Sequence, residues 1–281
     1  MSRDALTSYF TLGRSGLRVS RLALGTMTFG TDWGWGADKE AARAIFDAYV
    51  EAGGNLFDTA DLYVGGTSET WLGEFIAERH LRDKAVIATK FSYNAEPGNP
   101  NAGGNGRKAM MRAVDGSLKR LGTDYIDLYL LHTWDRVTPA EEVMRGFDDL
   151  VRSGKVRHVG LSNVPSWYAS RSQTLAEWRG YEPLSALQLE YSLAERHIET
   201  SSCRLASSTA WASWFGARSP AGFSVANTAP QLRAVPAKDA SAPWRAATIP
   251  LSRNSRHAIS RSSPSSTRSR RRRGGAWRSS P

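Results

Sequence analysis

Four titratable side chains of complementary types stand at the ends of apolar segments. Asp58 follows one segment and Tyr63 lies five residues later, while Lys90 and His132 end the next two segments. A phenol has a pKa of about 10, so it is a poor acid at neutral pH unless a cation stabilises the phenolate. We expect Lys90 to lower the pKa of Tyr63 and Asp58 to keep Lys90 charged. With His132 hydrogen-bonded to a substrate oxygen, Tyr63 would donate a proton to a carbonyl.

Each of these residues taken alone has an ordinary structural interpretation. Asp58 could cap a loop, Tyr63 could be a half-buried aromatic, and a lysine at a strand end often reaches solvent. His132 could be a hydrogen-bonded structural residue. The four residue types together are the informative feature, because charged groups at the ends of apolar segments are costly unless they are paired or take part in chemistry.

The rest of the chemistry points to a hydride donor. No serine or cysteine has a partnered base, and the His and Cys residues lack metal-ligand spacing, so no metal site is expected. The electrons for carbonyl reduction must then come from a cofactor. Ser162, Asn163 and Gln188 offer hydroxyl and amide groups suited to a carboxamide such as that of nicotinamide.

The elements that position these residues alternate between strands and helices. Six strands are predicted, at residues 22–26, 54–60, 85–91, 126–132, 158–163 and 185–192. This order is typical of a parallel sheet, either doubly wound or closed as a (β/α)₈ barrel. The stretch GTMTFG (25–30) lacks the G-x-G-x-x-G spacing of a dinucleotide-binding open sheet. The barrel is therefore favoured, and it brings the strand ends to one mouth.

Three helix starts are predicted from capping residues, one of them at Thr67 or Ser68. Asp38 is placed to cap a helix over residues 38–54. Thr138 and Glu141 have the spacing of a capping box, with Pro139 at the first helical position.

Charge is divided unevenly along the chain. The net charge is +10, but residues 200–281 hold fourteen basic residues and one acidic residue, which leaves residues 1–199 at −3. The single cysteine, Cys203, cannot form an internal disulfide, and no apolar run is long enough for a membrane helix. We expect a cytoplasmic protein with no membrane partner.

Five stretches resemble the aldo-keto reductase superfamily: FDTADLYVGGTSE (57–69), VIATKF (86–91), DYIDLYLLHTWD (124–135), GKVRHVGLSN (154–163) and QLEYSL (188–193). The opening TDWGWGADKEAA (31–42) is similar to the bacterial branch, which also resembles the potassium-channel β subunits. The resemblance covers about residues 10–199. It implies a barrel that reduces a small-molecule aldehyde or ketone with NADPH (NADP), and no nucleic-acid partner for the barrel.

The same resemblance assigns roles to individual residues. It implies a catalytic tetrad of Asp58, Tyr63, Lys90 and His132. It implies cofactor contacts by a second set, which is Thr26, Met27, Asp58, Ser162, Asn163 and Gln188. The channel β subunits leave a second function open, that of a non-catalytic regulatory barrel.

The resemblance stops after Glu199. We therefore expect a barrel portion of six strands over residues 1–199 and a disordered Ser/Ala/Arg-rich tail over residues 200–281, without the family's seventh strand. The missing strands would leave the first and sixth strands as unpaired edges. The family's cofactor segment is missing as well, so we expect poor NADPH binding.

The genetic code offers a reason for the change of composition. In a message read one base out of frame, each codon joins the third base of one residue's codon to the first two of the next. Trp211 before Ala212 then forces glycine, and Trp214 before Phe215 forces valine. From Ser208 onward the shifted frame permits HGMGVLVWSPLAGGFLSGKY, which is the family's cofactor segment, without a misfit. The sequence therefore predicts a frame slip close to Glu199.

The alternative takes the tail at face value. The stretch RNSRHAISRSSPSSTRSRRRRGG (253–275) resembles a basic arm that binds nucleic acid non-specifically through phosphate contacts. It follows directly from the predicted slip, so we rank this function below that of the enzyme. The oligomeric state cannot be inferred from the sequence.

Overall fold

A curled sheet of seven parallel strands forms the centre of the molecule. The computed structural model describes residues 6–94, 96–192, 195–216 and 226–227. A hairpin of β1 (Tyr9–Thr11) and β2 (Arg18–Ser20) precedes the sheet. The parallel strands are, in spatial and chain order, β3 (Ala23–Gly25), β4 (Leu56–Asp58), β5 (Val86–Phe91), β6 (Ile126–Leu131), β7 (Val156–Ser162), β8 (Leu184–Glu190) and β9 (Ala212–Gly216). The short β10 (Ala226–Asn227) pairs antiparallel with β9.

Helices follow the strands along the chain, as the barrel prediction requires. They are α1 (Lys39–Glu51), α2 (Thr67–Glu78), α3 (Arg107–Leu121), α4 (Ala140–Arg152), α5 (Ser166–Arg179) and α6 (Ser202–Thr209). The strand–helix order and the curled parallel sheet confirm the barrel type of fold, and the described residues supply seven of the eight parallel strands of a (β/α)₈ barrel. Within the described ranges, none of the helices has the length and apolar character needed to cross a bilayer.

All six predicted strands are present, but the expectation of no strand after residue 199 is wrong. Helix α6 and strand β9 continue the strand–helix order, and β9 pairs in parallel with β8 from Ala186 to Glu190. The sixth strand is therefore not an unpaired edge. Buried Ala206 and Trp211 contribute apolar surface here, and the backbone of β8 pairs with β9. Residues 217–225 and 228–281, including the basic stretch at 253–275, lie outside the described residues.

Alternation along each strand separates two apolar layers. Leu56, Val86, Ala88, Leu128 and Leu130 form the inner layer, together with residues of the β1–β2 hairpin. The residues between them face the helices and belong to the larger outer layer. Side chains alternate with a period of two along a strand. The residue two positions after the last of these inward-facing residues in each strand therefore also points inward.

One of the three capping predictions holds. Asp38 caps α1 and its side chain accepts a hydrogen bond from the Ala41 backbone N–H. The cap at Thr67 or Ser68 is wrong, because Gly66 is the N-cap of α2 and no side chain caps this helix. The capping box at Thr138 is wrong, because Pro139 is itself the N-cap of α4 and the Thr138 hydroxyl donates to Asp135. Asp135 also accepts from the backbone N–H groups of Val137 and Thr138, so this carboxylate organises the turn.

Candidate functional site

The sheet brings the predicted residues to the same end of neighbouring strands. Asp58 ends β4, Lys90 lies next to last in β5, and His132 follows β6. Asp58 pairs with Ala88 in register, and Lys90 pairs with Leu130, so the strand ends lie side by side. Each of the three residues continues the inward-facing row of its strand, which places their side chains on the inner side of the barrel mouth.

The Lys90 ammonium is the centre of this group. Only 1% of its side chain is exposed, and its Nζ lies 2.9 Å from Asp58 Oδ1. The same nitrogen donates to the Tyr63 hydroxyl at 3.2 Å and to the Thr59 carbonyl at 2.7 Å. Three oxygens from the segment 58–63 therefore surround one buried cation, which satisfies the three donors of an ammonium.

The charge of Lys90 is stabilised against its burial. Burial alone would lower the pKa of Lys90, but the Asp58 carboxylate and the Tyr63 phenol together raise it above its ordinary value. The prediction that Asp58 keeps Lys90 charged is consistent with this direction. The side chain is therefore a permanent cation across the neutral pH range.

Tyr63 has a strained backbone beside it and a buried hydroxyl. It begins a short 3₁₀ turn, Tyr63–Gly66, in which Val64 has the unusual left-handed φ of 50°. Burial raises the pKa of Tyr63 above its ordinary value, and the nearby Lys90 only partly opposes this shift. Lys90 lowers the pKa of Tyr63 as expected, but desolvation outweighs the cation and the net shift is upward.

His132 is held by its backbone and faces two tyrosine rings. The backbone N–H of His132 donates to the Phe91 carbonyl at 2.8 Å, between the ends of β5 and β6. The imidazole packs edge-on against Tyr63 at 5.8 Å and Tyr93 at 4.9 Å between ring centroids. The structure therefore places the proposed hydrogen-bond donor next to the proposed acid.

The predicted carboxamide-binding residues also lie at this end of the barrel. Gln188 Nε2 donates to Asp58 Oδ2 at 3.1 Å. Gln188 of β8 therefore contacts the carboxylate that pairs with Lys90. Asn163 Nδ2 donates to Ser162 Oγ at 3.1 Å and to the His132 carbonyl at 3.3 Å. Asn163 is exposed and has a left-handed φ of 48°, a conformation that asparagine tolerates better than most residues. An exposed amide beside a buried hydroxyl is a donor set that suits a carboxamide.

Thr26 and Met27 lie at the end of the first parallel strand. Thr26 is fully buried, and its hydroxyl pairs with Ser68 at 2.8 Å and donates to the Asp58 carbonyl at 3.2 Å. Thr26 therefore anchors the backbone of Asp58, and Met27 is half-buried beside it. Their contact with a cofactor stays a prediction.

Sequence reasoning missed Thr59, which binds Lys90 through its carbonyl, and Tyr93, which packs on His132. A backbone contact such as that of Thr59 leaves no trace in residue types. Tyr93 could have been found, because it stands two residues beyond a strand end, in the kind of loop that forms a barrel mouth.

Aromatic side chains border the same mouth. Trp33 and Trp35 are 39% and 42% exposed and lie 5.6 Å apart in the loop after β3. Asp32 of this loop accepts a hydrogen bond from Thr67, which places the loop beside the Tyr63 turn. On the other side, Trp134 packs against Trp167 at 5.3 Å.

Among the residues that the structure describes, no group of three or more His, Cys, Asp or Glu side chains is arranged to hold an ion. Cys203 is a half-buried free thiol on α6.

Comparison with known proteins gives a consistent result. The sequence model of the aldo/keto reductase family matches residues 21–208. The chain is 38% identical over 190 residues to an aryl-alcohol dehydrogenase of Pestalotiopsis microspora, covering 65% of this chain and 50% of that protein. It is 40% identical over 193 residues to norsolorinic acid reductase of Aspergillus flavus, covering 66% and 50%. It is 38% identical over 196 residues to aryl-alcohol dehydrogenase [NADP(+)] of Phanerodontia chrysosporium, covering 66% and 51%.

The chain thus spans about half the length of the curated relatives it matches. The matched half contains all four residues of the predicted tetrad, at strand ends β4, β5 and β6 and in the turn after β4.

Breaking the Lys90–Asp58 pair should destabilise the fold strongly. Asp58→Asn leaves a buried ammonium without its counter-ion, and Lys90→Met leaves the carboxylate unpaired, so each should cost about 3 kcal/mol of unfolding free energy. The double variant should lose clearly less than the sum, because no unpaired charge remains. Urea unfolding measures all three values.

Glu74→Gln is the matched control. Glu74 pairs with Lys39 on the surface, where the two side chains are 42% and 52% exposed. This change should cost less than about 1 kcal/mol. Additive losses for Asp58→Asn and Lys90→Met would show that the buried pair is not the unit that stabilises this end of the barrel.

Proposed function

The chain belongs to the aldo/keto reductase family, and on that premise we propose that it carries the proton-donating half of an NADPH-dependent carbonyl reductase acting on aromatic aldehydes or ketones. The observation that carries the proposal is the buried Lys90 ammonium held between Asp58 and the Tyr63 hydroxyl. Tyr63 is the general acid, and Lys90 and Asp58 support it.

Tyr63 must give up its proton against the effect of its burial. Desolvation raises the pKa of Tyr63 and so makes the phenol a weaker acid, and the nearby Lys90 ammonium partly offsets this. Donation creates a phenolate 3.2 Å from the Lys90 ammonium, and this charge pair forms only as the proton leaves. The cation therefore stabilises the transition state more than the ground state, which is the condition for catalysis. His132 would hydrogen-bond the substrate carbonyl oxygen that receives the proton from Tyr63.

The cofactor would be held by amide and hydroxyl groups of β7 and β8. Asn163 presents its amide at the surface, and Ser162 and Gln188 lie behind it in hydrogen-bond contact with it or with Asp58. These groups suit the carboxamide of a nicotinamide, which would supply a hydride to the carbonyl carbon when bound. The relative from Phanerodontia chrysosporium is named for NADP(+), and that name supports NADPH as the cofactor.

The aromatic residues at the mouth support an aromatic substrate. Trp33, Trp35 and Trp134 offer ring faces and edges on both sides of the tetrad. Aromatic pairs gain about 0.5–1.5 kcal/mol beyond the area they bury. Two relatives are named aryl-alcohol dehydrogenases, which is consistent with such a substrate.

We also propose that the sequence after about Glu199 is the family's own segment read out of frame. The shifted frame permits HGMGVLVWSPLAGGFLSGKY from Ser208 onward, and two of its positions are forced by tryptophan codons. Strand β9 occupies Ala212–Gly216, within this segment. We call the chain with the present sequence the printed chain, and the chain with this segment translated in the family's frame the frame-restored chain. The two should differ in cofactor binding while sharing the tetrad.

The first measurement is the nucleotide sequence across codons 195–230. One inserted or deleted base should restore V-W-S-P-L-A-G-G in frame. The frame-restored chain should then change NADPH fluorescence at micromolar concentration, and the printed chain should not. If no single-base change restores the segment, or if the printed chain binds NADPH equally well, the frame proposal fails.

Removing the Tyr63 hydroxyl should abolish most of the activity. In the frame-restored chain, Tyr63→Phe should lower kcat for an aromatic aldehyde about 10²–10⁴-fold with little change in KM, as followed by NADPH absorbance. Tyr93→Phe is the control, because it removes a hydroxyl from the second ring that packs on His132. Similar losses in both variants would contradict the assignment of Tyr63 as the acid.

Truncating Trp134 should affect aromatic substrates selectively. Trp134→Ala should raise KM for an aromatic aldehyde several-fold relative to an aliphatic aldehyde of similar size, because only the aromatic ring can stack. Trp178→Ala is the control, since Trp178 is 73% exposed near the end of α5 and packs on Arg179. Equal changes in KM for both aldehydes would mean that Trp134 does not select for aromatic rings.

A further inference from the structure

A second polar cluster lies on the opposite side of β5 from the tetrad. It consists of Asp61, Glu69, Thr89, Arg120 and Tyr129, and we refer to it as the outer carboxylate cluster. Thr89 and Tyr129 are paired in register on β5 and β6 and are both fully buried. Glu69 comes from α2 and Arg120 from α3, so the cluster lies between the sheet and these two helices.

Arg120 is committed to Glu69. Glu69 is completely buried, and its Oε2 accepts from Arg120 Nε at 2.6 Å. Its other oxygen, Oε1, accepts from the Thr89 hydroxyl at 2.6 Å. Both oxygens of Glu69 are thus satisfied, and the arginine of the cluster already has a carboxylate partner.

Asp61 forms no ion pair of its own with any of the described residues. Only 8% of Asp61 is exposed, and Oδ1 is buried without a hydrogen-bond partner among the described residues. The Tyr129 hydroxyl is buried and unpartnered in the same sense. An ionised carboxylate in this position would face Glu69 without a cation of its own, which is costly in a low-dielectric interior.

The charged and titratable groups around Asp61 come from four elements. Glu69 on α2 opposes its ionisation, and Arg120 on α3 and Lys90 on β5 favour it. Tyr129 on β6 lies close enough for its own pKa to be raised by Asp61 and Glu69, after burial, and α3 also contributes Asp115 to that environment. The balance, dominated by burial, raises the pKa of Asp61 to about 7.

The backbone connects Asp61 to the tetrad. The Asp61 N–H donates to the Lys90 carbonyl at 3.1 Å, and Asp61 lies between Asp58 and Tyr63 in one six-residue segment. Lys90 therefore contacts this segment through its ammonium on the inner side and through its carbonyl at Asp61. A change at Asp61 reaches both the ion pair and the acid through fewer than four residues.

We propose that Asp61 is a positioning residue that keeps a proton in the folded protein, and that its ionisation disturbs the segment 58–63. The protonated carboxyl brings no second negative charge near Glu69. The ionised form repels Glu69, competes for Arg120 and requires water. Any of these changes shifts the segment that holds Asp58 and Tyr63 against Lys90.

The proton has a definite effect on stability. The folded-state pKa of about 7 lies above the ordinary value of 3.8, so between these values the unfolded chain releases a proton that the folded chain retains. Stability should therefore fall as pH rises from about 4 to about 7. A difference of about three pKa units corresponds to about a thousandfold in the folding equilibrium constant.

The test compares the full chain with Asp61→Asn, an isosteric amide that does not titrate. The ratio of folding equilibrium constants, Asp61→Asn to wild type, should rise about a thousandfold between pH 4 and pH 8 in urea unfolding. Asp124→Asn, an exposed acid on the surface after α3, should leave this ratio nearly constant. A constant ratio for Asp61→Asn as well would overturn the proposal.

Infrared spectroscopy gives a readout that does not depend on the variant folding. Wild-type protein should show a protonated carboxyl C=O band that is lost as pH rises through about 7, at pH values where exposed carboxyls are already ionised. The absence of such a band at pH 6 would overturn the proposal even if Asp61→Asn fails to fold.

The effect on turnover rests on the proposed function. In the frame-restored chain, kcat should fall from pH 6 to pH 8 in wild type and fall less in Asp61→Asn, with the KM of the aldehyde changing little. If Tyr63→Phe retains full activity, the proposed function fails while the Asp61 titration stands. If the titration is present but the kcat profiles of wild type and Asp61→Asn coincide, the positioning role fails.

Discussion

The buried ammonium of Lys90 is the constraint on which this end of the molecule depends. An ammonium with 1% of its side chain exposed must find oxygens inside the protein, and it finds them on Asp58, Thr59 and Tyr63. Desolvation of an unpaired charge would cost several kcal/mol, so the segment 58–63 cannot move away from β5 without a large penalty. The same requirement that keeps this segment folded over the strand end holds the phenol next to the cation.

Successive side chains of β5 and β6 point to opposite faces of the sheet, which divides the polar groups into an inner set and an outer set. Both sets share the backbone of these strands. Lys90 points inward with the row that includes Val86 and Ala88, whereas Thr89 points outward toward Glu69. The inner set contains the ion pair, and the outer set contains two buried acidic side chains, Asp61 and Glu69, with one arginine. Since the backbone of β5 is common to both, charge on one side of the sheet is coupled to geometry on the other.

Much of this arrangement could be predicted from the sequence, because it depends on local periodicity and on the rule that parallel strands end at one mouth. The positions of Asp58, Lys90 and His132 follow from that rule alone. Other features depend on packing between distant segments. Glu69 and Arg120 are 51 residues apart, and nothing in either segment indicates that they meet. The effect of Lys90 on the pKa of Tyr63 was predicted, but the larger effect of burial was not, because the residue pattern gives the charged neighbour and not the extent of burial.

Strand β9 shows a different limit of sequence reasoning. Its residues carry no strand periodicity that could be recognised, and yet Ala212–Gly216 pairs with β8 along its length. Strand pairing satisfies backbone groups, which every residue other than proline possesses, so an open strand edge selects for a partner more strongly than for particular side chains. The side chains still decide the chemistry. The pairing of β9 with β8 therefore gives the strand order of the sheet, and it assigns no chemistry to the residues of β9.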